Sequence, residues 1–449
     1  MDYQEAWRYL DNLQFFKIKL GLESMNAFLD DVGHPQRHCR FIHVAGTNGK
    51  GSVSVTLLSI LASAGYRVGL YTSPHLSSVR ERFRINDSFI SQEEFAAIAT
   101  DIRGILAGRQ ITYFEFTTAL AMLWFAREQV DVAILEVGMG GRLDATNVVH
   151  PLVSVITNVS MDHEAYLGNT LAEVAFEKAG VIKPGVPVVS GVADDVSRTV
   201  VEQTCRERGA ELWLLGRDFC GEGAGRGSWN YRGPGQGGAA FSGLPCRLGG
   251  PHQESNAALA VATLEVVRRQ LPVSEEALRA GLAQVHWPGR MEYFCLDRAT
   301  RKQLDCPEQG AAAGPPNPAL RRYLLDGAHN PAGVATLGQA LASSFADDRL
   351  IMIWASMADK DVAPMLAAIA PFCTRIILTR AESERSALPE RLRELLPESC
   401  RAAALCAPTV AEALRLAEEL ASPADLIGVA GSLYLIGAAR RLLLGELVR

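Results

Sequence analysis

Lys50 and Ser52 follow a short apolar run, Phe41-Ile42-His43-Val44-Ala45, within the turn Gly46-Thr47-Asn48-Gly49-Lys50-Gly51-Ser52. An amine, hydroxyls and repeated glycines at a strand-to-helix turn suit the binding of phosphates. Glycine lets the main chain approach an anion, and a helix start offers N–H donors and partial positive charge. Lys50 would neutralise outer phosphate oxygens, while Ser52 or Thr47 would contact phosphate or Mg2+. The spacing is the variant GTxGKxS: Gly51 follows the lysine where the general P-loop has a hydroxyl, and Val44 replaces its first glycine. A glycine turn alone would be an ordinary connection. The strand, the lysine and the serine together point to a nucleotide.

Three further residues carry chemistry at the ends of apolar runs. Ser73 follows RVGLYT, Glu136 ends DVAILE, and His163 closes NVSMDH. Oxygen and nitrogen donors beside a phosphate loop suit Mg2+, which keeps several waters and shares phosphate oxygens. Taken singly, Glu136 could be a capping or ion-paired carboxylate, and His163 a hydrogen-bonded structural histidine. The glycines of Gly138-Met139-Gly140-Gly141 allow close backbone approach or form a plain turn.

The elements that must position these residues alternate. Residues 2–40 read as mainly helical, with a break at 19–22. Strands are expected at 131–136, 151–157, 186–190 and 211–215, and helices at 91–107, 115–129, 171–179 and 196–209. Strands alternating with helices predict an α/β fold with a doubly wound, mostly parallel sheet, whose ligands sit at the carboxyl ends of its strands. The charged segment SSVRERFRIND reads as a loop over the site. Residues 217–250 are glycine-rich and read as short antiparallel strands and loops. Residues 298–319, poor in apolar side chains, read as a flexible insertion. From Arg321 onward strand and helix alternate again, giving a second, smaller Rossmann-like α/β unit.

At 449 residues the chain exceeds what one core supports, so two domains are expected. The formal net charge of −6 argues against nucleic acid or an anionic membrane as partner. Nine singly spaced cysteines without a CxxC pair read as reduced thiols in a cytoplasmic protein. The polar N-terminus is unlike a signal peptide, and no apolar run is long enough to span a bilayer.

Taken in order, HVAGTNGKGSV, YTSPHL, ERFRIN, TYFEFTT, LEVGMGGRLDATN, NVSMDH, EKAGVIKPG, HQESNAALA, WPGR, LDGAHNP and GSLYLIG resemble the dihydrofolate synthase/folylpolyglutamate synthase family of the Mur ligase superfamily. The resemblance runs nearly end to end. It implies an ATP-dependent amide ligase of folate biosynthesis and one-carbon metabolism. Such an enzyme phosphorylates a carboxylate and lets the amine of L-glutamate attack, with dihydropteroate and reduced folates as acids.

On that resemblance, Gly49, Lys50, Gly51 and Ser52 hold phosphates, and Asn256, Arg290 and Asp326 contact ATP. Ser73, Glu136 and His163 ligate one or two Mg2+ ions, and a monovalent cation is compatible with the site. Lys178 is carbamylated in relatives (N6-carboxylysine), and His329 lies near phosphoryl transfer. Lys19, Leu20, Gly21, Leu22, Thr112, Tyr113, Phe114, Glu115, Leu143, Asp144 and Ala145 match pterin-substrate contacts. Lys360, Arg385 and Ser386 are weaker candidates for the glutamate carboxylates. The implied division is 1–293 for the ATP-binding domain and 294–449 for the glutamate-ligase domain, in a monomer.

Two other readings compete. A peptidoglycan Mur ligase would carry a further domain ahead of the P-loop. A P-loop switch that only hydrolyses nucleotide would need no acid or amine. A monofunctional folylpolyglutamate synthase is the nearest alternative within the family.

Overall fold

The computed structural model describes residues 1–13, 21–225, 227–235, 238–306 and 317–448. Lys19 and Leu20, and the 307–316 part of the expected insertion, lie outside the described residues. The chain divides into two compact units. One comprises 1–75, 79–247 and 253–286, and the other 76–78, 248–252 and 287–449.

The first unit is built on eight strands: β1 (Phe41–Ala45), β2 (Val68–Tyr71), β3 (Phe83–Ile85), β4 (Ser88–Phe89), β5 (Val132–Glu136), β6 (Val153–Ile156), β7 (Val188–Ser190) and β8 (Leu212–Leu214). Their order is β4-β3-β2-β5-β1-β6-β7-β8. β1 lies between β5 and β6, parallel to both, with all five residues buried. Chain connections diverge on either side of β1, which opens the crevice where open α/β sheets bind ligands. Its apolar run FIHVA is continuous because helices cover both faces.

The helices start with signals visible in the sequence. Ser91 and Glu94 form a reciprocal capping box on Gln92–Leu106, Thr112 and Glu115 on Tyr113–Arg127, and Thr170 and Glu173 on Leu171–Ala179. Each box satisfies two N–H groups that a helix start would leave bare. A satellite antiparallel sheet of β9 (Cys220–Gly225), β10 (Ser228–Arg232) and β11 (Ala240–Pro245) matches the expectation for the glycine-rich stretch.

One segment of this unit differs from expectation. SSVRERFRIND is a 3-10 turn, Val79–Arg82, leading into β3 and then the edge strand β4 rather than a loop. Its charges hid this, because Arg80, Glu81 and Arg82 are buried. Alternation of apolar and polar residues could not flag a strand whose neighbouring charges point inward.

Among its described residues the second unit has seven strands: β12 (Glu292–Asp297), β13 (Gln303–Leu304), β14 (Leu320–Leu325), β15 (Leu350–Trp354), β16 (Cys373–Leu378), β17 (Leu405–Cys406) and β18 (Leu426–Ala430), in the order β13-β12-β14-β18-β15-β16-β17. The last five are parallel, while β12 and β13 form an antiparallel edge. Residues 298–306 are therefore part of a hairpin, not of a flexible insertion.

That hairpin also corrects the expectation of nine free thiols. Pairing of Cys295 with Leu304 brings Cys306 back towards Cys295, and the two form a disulfide with Cα atoms 5.3 Å apart. Seven cysteines remain free. Titration of the denatured protein without reductant is expected to count seven thiols, rising to nine after dithiothreitol. A count of nine from the start would rule the bond out.

Candidate functional site

The phosphate loop is set by backbone conformations that require glycine. Gly46 has φ +145° and Gly49 has φ +81°. Gly49 is the left-handed cap from which the helix Lys50–Ser63 starts. Built β-carbons would overlap Thr157 Oγ1 at Gly46 and lie 2.6 Å from Asn256 Oδ1 at Gly49. Asn256 is thus packed directly against the loop, held by a 2.9 Å bond from its Nδ2 to Gln253 Oε1.

The segment leaving β6 latches the loop from the other side. Thr157 Oγ1 donates to Asn48 O (2.6 Å), and Asn48 N donates to Asn158 Oδ1 (2.9 Å). Thr47 Oγ1 donates to Ser160 O (3.1 Å) and accepts from Ser160 N (3.0 Å). Thr157, Asn158 and Ser160 are positioning residues that the sequence reading did not single out. Their one signal is polarity at the carboxyl end of a buried strand.

Two amines meet on this loop. Lys50 Nζ donates to Gly46 O and Thr47 O, both at 3.1 Å, and Lys178 Nζ donates to the same Gly46 O at 3.0 Å. Lys178 is 3% exposed although it is a lysine near the end of a surface helix. Burial first, and the neighbouring Lys50 charge second, push its ammonium down to about 7, with Asp162 and Asp144 opposing. Two amines converging on one carbonyl gather positive charge, shared between them, that polyphosphate oxygens would neutralise. The loop therefore fits a nucleotide on its own chemistry.

The expected metal donors are only partly assembled. Glu136 ends β5 and accepts from Ser73 N at 3.1 Å, so these two residues meet. His163 adopts a left-handed conformation (φ 53°) at the start of the short helix Glu164–Leu167, its side chain 45% exposed and its Nε2 3.9 Å from Asp162 Oδ2. Among the described residues no three His, Cys, Asp or Glu side chains cluster tightly enough to hold an ion by themselves. Few protein oxygens plus phosphate and water are what Mg2+ accepts. Ser73 and Glu136 fit such a shared site.

Of the expected pterin contacts, Thr112 and Glu115 form the helix cap described above, with Thr112 N donating to Glu115 Oε2 at 2.7 Å. Tyr113 lies under the Arg82 guanidinium, whose Cζ is 5.2 Å from the ring centroid. Phe114 packs on Gly138 so closely that a β-carbon there would come to 2.5 Å from its ring. Leu143 precedes, and Asp144 caps, the 3-10 turn Ala145–Val148. Gly21 and Leu22 precede the helix Glu23–Asp31.

Asp144 is buried and spends its carboxylate on the backbone. Oδ2 accepts from Gly138 N (3.1 Å) and Met139 N (3.0 Å), and Oδ1 from Thr146 N (3.0 Å) and Thr146 Oγ1 (2.5 Å). Burial raises its pKa while these bonds hold it down. Thr146 Oγ1 in turn lies 2.8 Å from His43 Nε2 on β1. Since the hydroxyl gives its proton to Asp144, His43 Nε2–H is the donor, and burial keeps the ring neutral with a pKa near 3. Thr146→Val should cost about 1–3 kcal/mol by stranding both partners, read as a lower midpoint in thermal unfolding, whereas Thr146→Ser should not. Equal midpoints for the two variants would refute the relay.

In the second unit, Asp326 Oδ2 accepts from Met291 N and Oδ1 from Ala328 N, each at 2.9 Å. His329 Nδ1–H donates to Gly327 O at 2.7 Å, and Arg290 packs over Gly327. Asn330 caps the helix Pro331–Ser344 through Gly333 N at 2.8 Å. Ser386 pairs with Met357 and accepts from Ala381 N at 2.9 Å, which brings the loops of Lys360 and Arg385 together. Arg385 itself is exposed, 3.8 Å from Asp359.

The family models for the Mur ligase middle domain and the Mur ligase glutamate ligase domain match residues 44–264 and 317–433. A dihydrofolate synthase/folylpolyglutamate synthase of Bacillus subtilis is 32% identical over 98% of this chain and 98% of its own. The chain belongs to the dihydrofolate synthase/folylpolyglutamate synthase family. It is an ATP-dependent ligase that uses ATP and a divalent metal ion. A probable bifunctional folylpolyglutamate synthase/dihydropteroate synthase of Haloferax volcanii is 35% identical over 98% of this chain, which spans half the length of that relative. A crystal structure of a bifunctional synthase of this family with Mn, AMPPNP and L-glutamate bound superposes with a TM-score of 0.83 at 31% identity, covering 99% of this ligase and 98% of that chain. No helix among the described residues is long and apolar enough to cross a membrane.

Proposed function

We propose that this ligase joins L-glutamate to dihydropteroate and extends reduced folates by the same reaction, through an acyl phosphate. The observation that carries the reading is the meeting of Lys50 and Lys178 on Gly46 O. A carboxylate is a poor electrophile, so the reaction needs charge neutralisation and alignment more than covalent chemistry from the protein. When bound, ATP supplies the phosphoryl group and Mg2+ the charge that screens it.

The chain's own residues do the rest. Lys50 releases Gly46 O and Thr47 O and turns to phosphate oxygens, while Gly49, Gly51 and Ser52 offer N–H and hydroxyl groups at the helix start. Ser73, Glu136 and His163 hold the metal. Lys178, close to neutral at physiological pH, is able to take up CO2 as a carbamate, which would replace a repelled cation with an anionic oxygen ligand. Asn256, Arg290 and Asp326 are assigned to ATP and His329 to the phosphoryl-transfer end. Gly21, Leu22, Thr112 to Glu115 and Leu143 to Ala145 are assigned to the pterin acid, and Lys360, Arg385 and Ser386 to glutamate. The boundary near residue 293 separates ATP-binding from glutamate-ligase domains. A cytoplasmic monomer completes the reading.

The test is a ligation assay with ATP and L-glutamate, comparing dihydropteroate with tetrahydrofolate and reading products by mass. One added glutamyl unit on each acid supports the proposal. Product from tetrahydrofolate alone would leave a monofunctional folylpolyglutamate synthase, and phosphate release without amide product would sink it.

A further inference from the structure

Arg82 is a buried cation without a counter-charge. It is 7% exposed, and among the described residues it makes no ion pair. Other enclosed arginines are matched: the buried Arg321 donates to the carbonyls of Ala421, Ser422 and Glu418, and the half-buried Arg440 lies 3.0 Å from Glu292. Arg82 has only its Nε–H engaged with a protein acceptor, His75 Nδ1 at 2.9 Å, and that ring nitrogen must be unprotonated to accept. Its Cζ lies 5.2 Å from the Tyr113 ring centroid. An aromatic face and a neutral imidazole hold the guanidinium in place but do not neutralise it. The fork of Nη donors is left for an anion, and its planar geometry matches a carboxylate.

The location names the anion's source. Arg82 O accepts from Thr72 N at 3.1 Å, which stitches the turn to the residue before Ser73. On the other side Tyr113 continues into Phe114, whose ring centroid is 5.9 Å from that of Tyr71. The charge therefore lies between an aromatic surface and the Ser73 turn. We propose that Arg82 binds the carboxylate of a glutamylated folate that is not activated, and so distinguishes such substrates from dihydropteroate, which lacks that group. This rests on the ligase substrates proposed above. A carboxylate that must attack phosphorus would be made less nucleophilic by pairing with arginine. The second carboxylate stays anionic throughout, so pairing anchors it without opposing the reaction.

The experiment measures equilibrium binding of pteroate and of pteroylglutamate to the full-length wild type, R82Q and R82K. Loss of a bidentate charged pair should weaken pteroylglutamate roughly tenfold to a hundredfold in R82Q, with pteroate changed less than about threefold. R82K, which keeps the charge but not the fork, should fall between, and supplies the same ratio if R82Q does not fold. Equal weakening of both ligands, or no weakening of either, overturns the assignment while leaving the ligase reading intact. Wild type that binds neither ligand overturns both.

Discussion

Lys178→Ala is expected to lower ligation roughly 10²–10³-fold, the scale on which a preorganised charged group contributes to a transition state. The cause would be loss of an anionic ligand and of the bond to Gly46 O, not general unfolding. Lys178→Met separates the two. The folded ammonium has its pKa lowered to about 7 from 10.5, so between those values the unfolded chain holds a proton that the folded chain does not. Stability therefore rises with pH across that window, by at most about 1.4 kcal/mol per unit from this group, and is lowest below pH 7. Methionine at 178 should remove that dependence and raise the unfolding midpoint at pH 6 while leaving the protein inactive. Carbon-13 NMR with labelled bicarbonate should show a carbamate resonance in wild type and none in the variant. Wild-type activity in Lys178→Ala would end the carbamate reading.

Gly46→Ala is expected to be nearly as damaging, for a steric reason. At φ +145° an alanine is strained by about 1–3 kcal/mol, and its β-carbon would overlap Thr157 Oγ1. Moving Thr157 breaks its bond to Asn48 O and slackens the turn that presents Lys50. ATP affinity should fall by roughly a hundredfold or more, the sum of strain and lost alignment. Thr157→Ala alone should cost about tenfold or less, and Gly46→Ala with Thr157→Ala should bind better than Gly46→Ala alone. If the double variant is no better, strain at residue 46 rather than the overlap is the cause.

The fold was legible where local signals agree. FIHVA, DVAILE and the helix after the P-loop needed only hydrophobic runs and glycine stops, and the capping boxes at Ser91, Thr112 and Thr170 mark helix starts in the letters themselves. The loop Gly46–Ser52 announced phosphate chemistry through residue type and spacing. Long-range partners were not legible. Nothing near Lys178 says that its amine reaches Gly46, 132 residues away. Likewise His43 meets Thr146 only because β1 and the turn after β5 are neighbours in the sheet. Arg82 looked like surface because charge was taken as exposure, and Cys295 met Cys306 through a hairpin whose two-residue strand β13 is too short to read.

The shared carbonyl of Gly46 has a consequence for the resting protein. With two amines on one acceptor, the loop is a receptor for small oxyanions of many kinds. Sulfate and phosphate should both protect the chain from heat, and the more highly charged pyrophosphate should protect it further. Storage buffers that contain such anions should then lower the apparent ATP affinity by competition.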